Sequence, residues 1–484
     1  MLGWVRRIQV PHVLALLMLI VLAAAVLTYV IPSGRYERRT TLVGGTERTL
    51  LVPGTYKRIP KSFELRDLLL TAPEDTAQTA KPTSVQGFLT AIPRGLAKSQ
   101  DIVFFIFIIG GALGIVQRTG AITAAIRKLL SHLGHSAGLM TTVIMLVIAV
   151  GGSTLGMGEE FIPLVPLFLM LSRRLGYDRV YAVALVFVAA EVGFASATTN
   201  PFTIQVAQSI AELRPTSGMT LRLVFFGCTI TLTIMHVLRY GARIQVRPEL
   251  ALAPFDDDAG DGDDGFDDHV FSRTHLAILA SCGVVFAGIL VAVQTLNWWM
   301  EDMAGGFLLM GIVAAVIGRL SVNQAAGAFV KGMEDMVVAA IVVGFARAIQ
   351  VVLDDARITD TVIHSAAGVL QSAPRYASAE GMLLFQTTLN FLIPSGSGQA
   401  VVTMPLMAPL ADLLNISRQT SVFAFQCGDG LSNIVIPTSG ILMAMLSLAD
   451  VPYQKWLRFV VPLFLQLLVL GGVFLAVAVA IGYQ

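Results

Sequence analysis

The chain has 484 residues, 55% of them hydrophobic and 13% charged, with a formal net charge of +1. Soluble domains carry about 25% charged residues, so this composition, with a mean hydropathy of +0.74, excludes a soluble globular protein and indicates a polytopic one embedded in a lipid bilayer. No basic stripe interleaved with aromatics is present, so the sequence offers no nucleic-acid partner.

Residues 1–31 form an N-terminal span. Arg6 and Arg7 precede the apolar run 13–31 as in a signal peptide, but the run has the length of a full span and no A-x-A-like site clearly follows. Residues 32–100 read as a polar extracytoplasmic loop, with a short hairpin over 38–53 around Gly44-Gly45 and a linker over 72–84. Residues 101–240 form a first repeat. Its spans begin at 102. An amphipathic surface helix is predicted over 121–133, which carries Arg127, Lys128 and His132. Residues 241–272 are an Asp- and Gly-rich cytoplasmic linker, read as a solvated tether; the Glu that closes a calcium loop is missing. Residues 273–320 hold scaffold spans and 321–484 a second repeat, with an amphipathic stretch at 358–370 and a final span at 457–481. Cys228, Cys282 and Cys427 lie in apolar segments without metal-ligand spacing and read as small buried side chains.

Each repeat contains two polar, glycine-rich interruptions of apolar sequence. The first has GGSTLGMGEEF (151–161) and EVGFASATTNP (191–201); the second has LIPSGSGQAVV (392–402) and GDGLSNIVIPTSG (428–440). A bilayer offers no water to a broken backbone, so such breaks survive only where they line a cavity or are buried in protein. A matched pair in two halves of one chain points to a transporter binding site. The halves align at a nearly constant offset: Thr199-Asn200 falls on Thr438-Ser439, Pro166-Leu167 on Pro405-Leu406, and Arg179 on Arg418, with a weaker upstream match of 120–126 to 356–363. Placing Arg6, Arg7, Arg173, Arg174, Arg239 and Arg319 on the cytoplasmic side makes the second half start from the opposite face, so the repeats are inverted and the N-terminus is cytoplasmic. The expected fold is all-α, each repeat with a re-entrant hairpin and a discontinuous helix.

The candidate site follows from these breaks. At the first tip, Gly156 and Gly158 permit close backbone approach, and Ser153 and Thr154 bring hydroxyls. Glu159 and Glu160 are costly at bilayer depth and need partners. Being adjacent, they are expected to diverge, one toward the site and one toward water or another helix. Glu191 and Asp429 each sit in an apolar helix just before a break. Ser196, Thr198, Thr199 and Asn200, ended by Pro201, and Ser432, Asn433, Thr438 and Ser439, around Pro437, read as unwound helix midpoints. Ser395, Ser397 and Gln399 occupy the second tip, with Gln399 aligned on Glu160. Freed carbonyls and hydroxyls suit Na+, placed at Ser153, Thr154, Asn200, Ser397 and Ser439; no other cofactor is expected.

These motifs, with IIGGALGIVQRTGAI (108–122) and VPGTYKRIP (52–60), resemble the YfcC-type carriers, relatives of the anaerobic C4-dicarboxylate carriers in the ion-transporter superfamily. The resemblance covers nearly the whole chain. It implies inverted repeats, a homodimer with scaffold and moving transport domains, and ion and substrate binding at Ser196, Thr199, Asn200, Ser432, Asn433, Thr438 and Ser439. It implies either dicarboxylates or basic amino acids as substrates.

The residues themselves leave several readings open. Hydroxyls and amides would serve a dicarboxylate, and Arg347, deep in a predicted span, could serve it too, snorkel, or pair with a carboxylate; Glu159, Glu160, Glu191 and Asp429 would serve an amine. The expectation is a secondary transporter of the cytoplasmic membrane for a small carboxylate or amino acid, driven by Na+ or H+ or by exchange, since no P-loop is present. A C4-dicarboxylate carrier without amine recognition is the alternative, and a channel the rival class. No enzyme is expected: HExxH is absent, and Asp429 in Gly428-Asp429-Gly430 lacks an obvious second Asp.

Overall fold

The computed structural model describes residues 13–43, 46–70, 79–125, 128, 136–214, 216–255, 271–296 and 298–484. Among these residues eight helices are long and apolar enough to cross a bilayer: Val13–Val30, Gln100–Arg118, Ala137–Leu155, Met219–Val246, Arg273–Val293, Met300–Ile317, Val337–Asp355 and Tyr453–Ile481. The protein is an all-α multi-pass membrane protein. Its only described strands are two small pairs outside the helical body, β1 (Ser33–Arg35) with β4 (Lys57–Ile59) and β2 (Arg38–Val43) with β3 (Thr46–Leu51). The hairpin expected around Gly44-Gly45 thus forms, with Arg38 opposite Leu51. The aspartate-rich stretch of the linker, 256–270, lies outside the described residues, as does most of the predicted 121–133 helix beyond residue 125.

The helices that build the site are, in chain order, α1 (Val13–Val30), α2 (Val85–Lys98), α3 (Gln100–Arg118), α4 (Ala137–Leu155) and α5 (Val165–Arg174). Next comes α6, residues 179–195, with a π segment at Ala184–Val188. Then follow α7 (Ile204–Ile210) and α8 (Met219–Val246). The 32–100 excursion is not all loop. Helix α2 has apolar residues on one side, and its Gly95 lies where a side chain would meet the Gly344 carbonyl and the Ala348 backbone, so 85–98 packs with the membrane helices. The strands dock nearby: Gly34 N–H donates to the Arg357 carbonyl (2.9 Å), and Asp360 accepts from Tyr36 N–H and Arg38, each at 2.9 Å.

In the second half α9 (Arg273–Thr295), α10 (Met300–Ile317) and α11 (Val322–Asp335) precede α12 (Val337–Asp355), α13 (Thr359–Gln371), α14 (Arg375–Leu389) and α15 (Gly396–Leu413). The chain closes with α16 (Arg418–Ser432), α17 (Gly440–Leu448) and α18 (Tyr453–Ile481). Residues 180–193 of α6 and 419–432 of α16 are buried on every side. A helix apolar all round belongs in a core, which explains α6. Helix α16 is buried despite Gln419, Thr420, Ser421, Gln426 and Asp429.

Small residues let these helices approach backbone to backbone. Gly152 of α4 faces the Ala190 carbonyl, Gly193 of α6 faces Ala149, and Gly428 of α16 faces the Leu383 carbonyl of α14. Gly430 faces Ala195, so the two broken helices also touch each other.

The two broken segments run antiparallel. Arg179, at the start of α6, reaches Asp450 beyond α17 (2.8 Å), and Arg418, at the start of α16, reaches Glu212 beyond α7 (2.7 Å). Each arginine thus ties the start of one broken segment to the end of the other. Asp450 is 89% exposed, so Asp450→Asn is expected to cost under ~1 kcal/mol, as surface ion pairs do. Thermal unfolding in detergent checks this; a larger loss would show that the pair holds the segments together.

Candidate functional site

The site begins where helices stop. Helix α4 runs through Ser153 and Thr154 and ends at Gly156, whose φ of +73° suits glycine. A 3-10 turn, Glu159–Leu164, carries the chain into α5. Helix α6 ends at Ala195, and α7 begins only at Ile204. In the second half α14 ends at Leu389; the tip Pro394-Ser395 leads into α15, where Ser395 Oγ accepts the Gly398 N–H (3.4 Å). Helix α16 ends at Ser432, and α17 starts at Gly440, capped by Ser439 Oγ accepting the Leu442 N–H (3.3 Å).

A cavity of about 300 Å³ opens where these four stretches meet. Of the predicted residues it is lined by Gly156, Gly158, Glu159, Glu160, Glu191, Ser395, Ser397, Asn433, Thr438 and Ser439. Between two of these lining residues, Asn433 Nδ2 donates across the halves to Glu191 Oε2 (3.0 Å). Glu160 Oε2 accepts the Gly158 N–H (2.8 Å). The expected divergence of the two glutamates does not occur. Both line the cavity, because it wraps around the short 3-10 turn that carries them.

The other predicted residues lie behind the cavity wall. Ser153 Oγ bonds the Ser196 carbonyl and Thr198 Oγ1, both at 3.1 Å, and so holds the first break against α4. Thr154 donates to its own helix at Val150, and Thr199 to the Thr154 carbonyl. Asn200 Oδ1 accepts the Phe202 N–H (2.8 Å), an Asx turn that shapes the break. Gln399 donates to the Gln386 carbonyl (2.9 Å) rather than entering the site. Ser432 accepts from Asn390 (2.8 Å). Asp429 is 1% exposed, and neither of its carboxylate oxygens has a hydrogen-bond partner among the described residues.

Sequence reasoning missed part of the wall. Lys98, at the end of α2, and Asp101, at the start of α3, line the cavity, with Phe202, Trp299 and Met300. Arg347 of α12, which the sequence did offer for a carboxylate, lines it as well, its Nη1 donating to Gln350 (2.7 Å). The two cations therefore come from the packed pair α2 and α12. Glu159, Glu160 and Glu191 come from the first hairpin and first broken helix, and none has an ion-pair partner among the described residues. One cavity presents both a basic and an acidic side.

The DcuC family, described as C4-dicarboxylate anaerobic carriers, has a model that matches residues 10–480. The chain belongs to the C4-dicarboxylate anaerobic carrier family. This carrier is 31% identical over 498 residues to the putative basic amino acid antiporter YfcC of Escherichia coli K12, covering 99% of this chain and 98% of that one. It is 27% identical over 503 residues to an uncharacterized protein of Haemophilus influenzae, covering 98% of each. Among solved structures the carrier is similar to the Alcanivorax borkumensis YdaH transporter, with TM-score 0.45, 16% identity and coverage of 98% and 99%. It is also similar to Neisseria gonorrhoeae MtrF, described within a class of antimetabolite efflux pumps, with TM-score 0.43, 16% identity and coverage of 98% and 96%. The resemblance to YfcC-type carriers read from the motifs thus stands, and the protein is a membrane transporter.

Proposed function

We propose that the carrier moves a small solute bearing both a carboxylate and an amine, with basic amino acids the best fit, by secondary transport coupled to Na+ or H+ or by exchange. The observation that carries this is the two-signed cavity. Arg347 and Lys98 suit the α-carboxylate, while Glu159, Glu160 and Glu191 suit ammonium or guanidinium groups. The name given to YfcC, a basic amino acid antiporter, agrees with this reading. A C4-dicarboxylate, favoured by the family description, would bring two more negative charges to a cavity already lined by Asp101, Glu159, Glu160 and Glu191.

The antiparallel broken segments and the nearly constant offset between the halves support two inverted repeats in the cytoplasmic membrane. The arginines Arg173 and Arg174, on the face of the Arg179–Asp450 pair, support a cytoplasmic N-terminus on that side. A homodimer belongs to the proposal on the strength of the family resemblance. Of the five residues expected to hold Na+, Ser397 and Ser439 line the cavity and Ser153, Thr154 and Asn200 do not, which supports the first two as its ligands.

Counterflow in proteoliposomes tests the reading, with L-arginine, L-lysine, succinate and fumarate compared under Na+ and pH gradients. Saturable exchange of the amino acids is expected. Exchange of fumarate alone would favour the dicarboxylate alternative, and non-saturable flux a channel. Glu191→Gln keeps an acceptor for Asn433 but removes the charge, and is expected to weaken L-arginine about tenfold. Unchanged affinity would remove Glu191 from the amine end.

A further inference from the structure

One stretch of the excursion between α1 and α2 has its polarity reversed. In KSFELRDLLL (61–70) the buried side chain is a charged one: Asp67 is 3% exposed. It accepts from Lys81 Nζ and from the Glu64 N–H, each at 3.1 Å, and so closes the inner side of the 3-10 turn Leu65–Leu68. Phe63, Leu65, Leu68, Leu69 and Leu70 hold the outside, between 41% and 82% exposed. A single exposed leucine needs no explanation, but a contiguous apolar patch over a buried carboxylate does. In water both halves of that arrangement are unfavourable.

The stretch is fastened to the end of a spanning helix. Lys61 Nζ donates to the Thr28 and Ile31 carbonyls at the C-terminal end of α1, where a cation also meets the negative end of the helix dipole. The Thr83 N–H donates to Thr28 Oγ1 (2.9 Å), and Tyr29 Oη donates to the Thr83 carbonyl (3.0 Å). The Phe63 ring stands edge-on to Tyr29, with centroids 5.8 Å apart. Helix α1 has the length and composition of a bilayer span, so its end marks the level where hydrocarbon gives way to headgroups. Aromatic side chains collect at that level. The patch is also continuous with exposed apolar surface on the neighbouring helices, Val26 and Val30 of α1 and Val85 and Leu89 of α2.

We propose that residues 63–70 are an interfacial anchor, whose phenylalanine and leucines enter the lipid leaflet at the C-terminal end of α1 while Asp67 and Lys81 hold the turn from behind. The partner is the acyl region of the bilayer and not headgroup charge, because the exposed charges of the stretch, Glu64 and Arg66, pair with each other (2.9 Å). The anchor also bears on the cavity. The Gln86 N–H, in the first turn of α2, donates to the Leu69 carbonyl (3.1 Å), and α2 ends at Lys98 in the cavity wall. Lipid thus fixes the start of a helix whose other end faces the solute.

The test places a reporter on the patch. Leu65→Trp and Leu69→Trp are made separately in the full-length protein and reconstituted in phosphatidylcholine vesicles. Subtracting wild type in the same vesicles isolates the added emission from the four native tryptophans. An interfacial side chain lies about 5–10 Å into the boundary between headgroups and acyl chains, so phospholipids brominated high on the chain are expected to quench the added emission roughly twofold. Bromines near the chain end should quench it less, and acrylamide in the water should reach it poorly. Added emission that acrylamide quenches and brominated lipids do not overturns the anchor. Emission shielded from both quenchers overturns it as well, since a second copy or another protein would then cover the patch. If either variant fails to fold, Phe63→Trp, which exchanges one aromatic ring for another, takes its place.

Discussion

Arg347→Met is expected to weaken a carboxylate-bearing solute by roughly tenfold to a hundredfold while leaving the protein at least as stable as wild type. A charge-assisted hydrogen bond is worth about 1.5–3 kcal/mol, and Arg347 is the cavity cation that belongs to a membrane helix interior, in α12 between Val343 and Val351. Its side-chain hydrogen bond goes to a neutral amide, Gln350, rather than to a carboxylate. Removing it breaks no hydrogen bond to a carboxylate, and exchanging a desolvated charge for an apolar side chain of similar reach is often neutral or stabilising. That separates a binding role from a structural one. The measurement is the concentration dependence of L-arginine counterflow, set beside thermal unfolding. Equal affinity in the two proteins would remove Arg347 from the carboxylate end; loss of both affinity and stability would make it a packing residue.

The breaks were legible because the bilayer is unforgiving. Glycine, serine, threonine, asparagine and proline gathered inside apolar helices have few explanations other than backbone that must be satisfied within the protein. The offset that pairs Arg179 with Arg418 was legible too, and in the structure those two arginines make corresponding ties at the starts of the two broken segments. Side-chain direction was not. Ser153 and Thr154 read as a loose tip, yet α4 remains helical to Leu155, because Gly152 and Gly193 let α4 and α6 pack closely up to the break. Gln399 aligns with Glu160, but it is turned into the hairpin by Gln386, a partner that no linear pattern announces. Lys98 falls in the 32–100 excursion by sequence and Asp101 just before the first repeat's spans; the turn between α2 and α3 at Ser99 places both at the cavity.

Gly430→Leu is expected to have the largest effect on the protein itself, at or beyond the top of the ~1–3 kcal/mol range for overpacked cores. A side chain at Gly430 would meet the Cα, Cβ and N atoms of Ala195, the last residue of α6 before its break. Backbone cannot swing aside as a long side chain can, so the two broken helices must separate. Separation would also stretch the Gln426 bonds to Ala195 and Ala197 and the Asn433 bond to Glu191, the links that join the two halves beside the cavity. Stability and transport should therefore fall together. Gly327→Leu is the control, since nothing lies within 4 Å of the position its Cβ would take in α11; there leucine should be neutral or slightly stabilising, being the better helix former. Tm and counterflow for both variants decide the matter. A Gly430→Leu protein with wild-type Tm would show that the broken helices have room to part, and the contact between the halves would then be a movable joint instead of a fixed one.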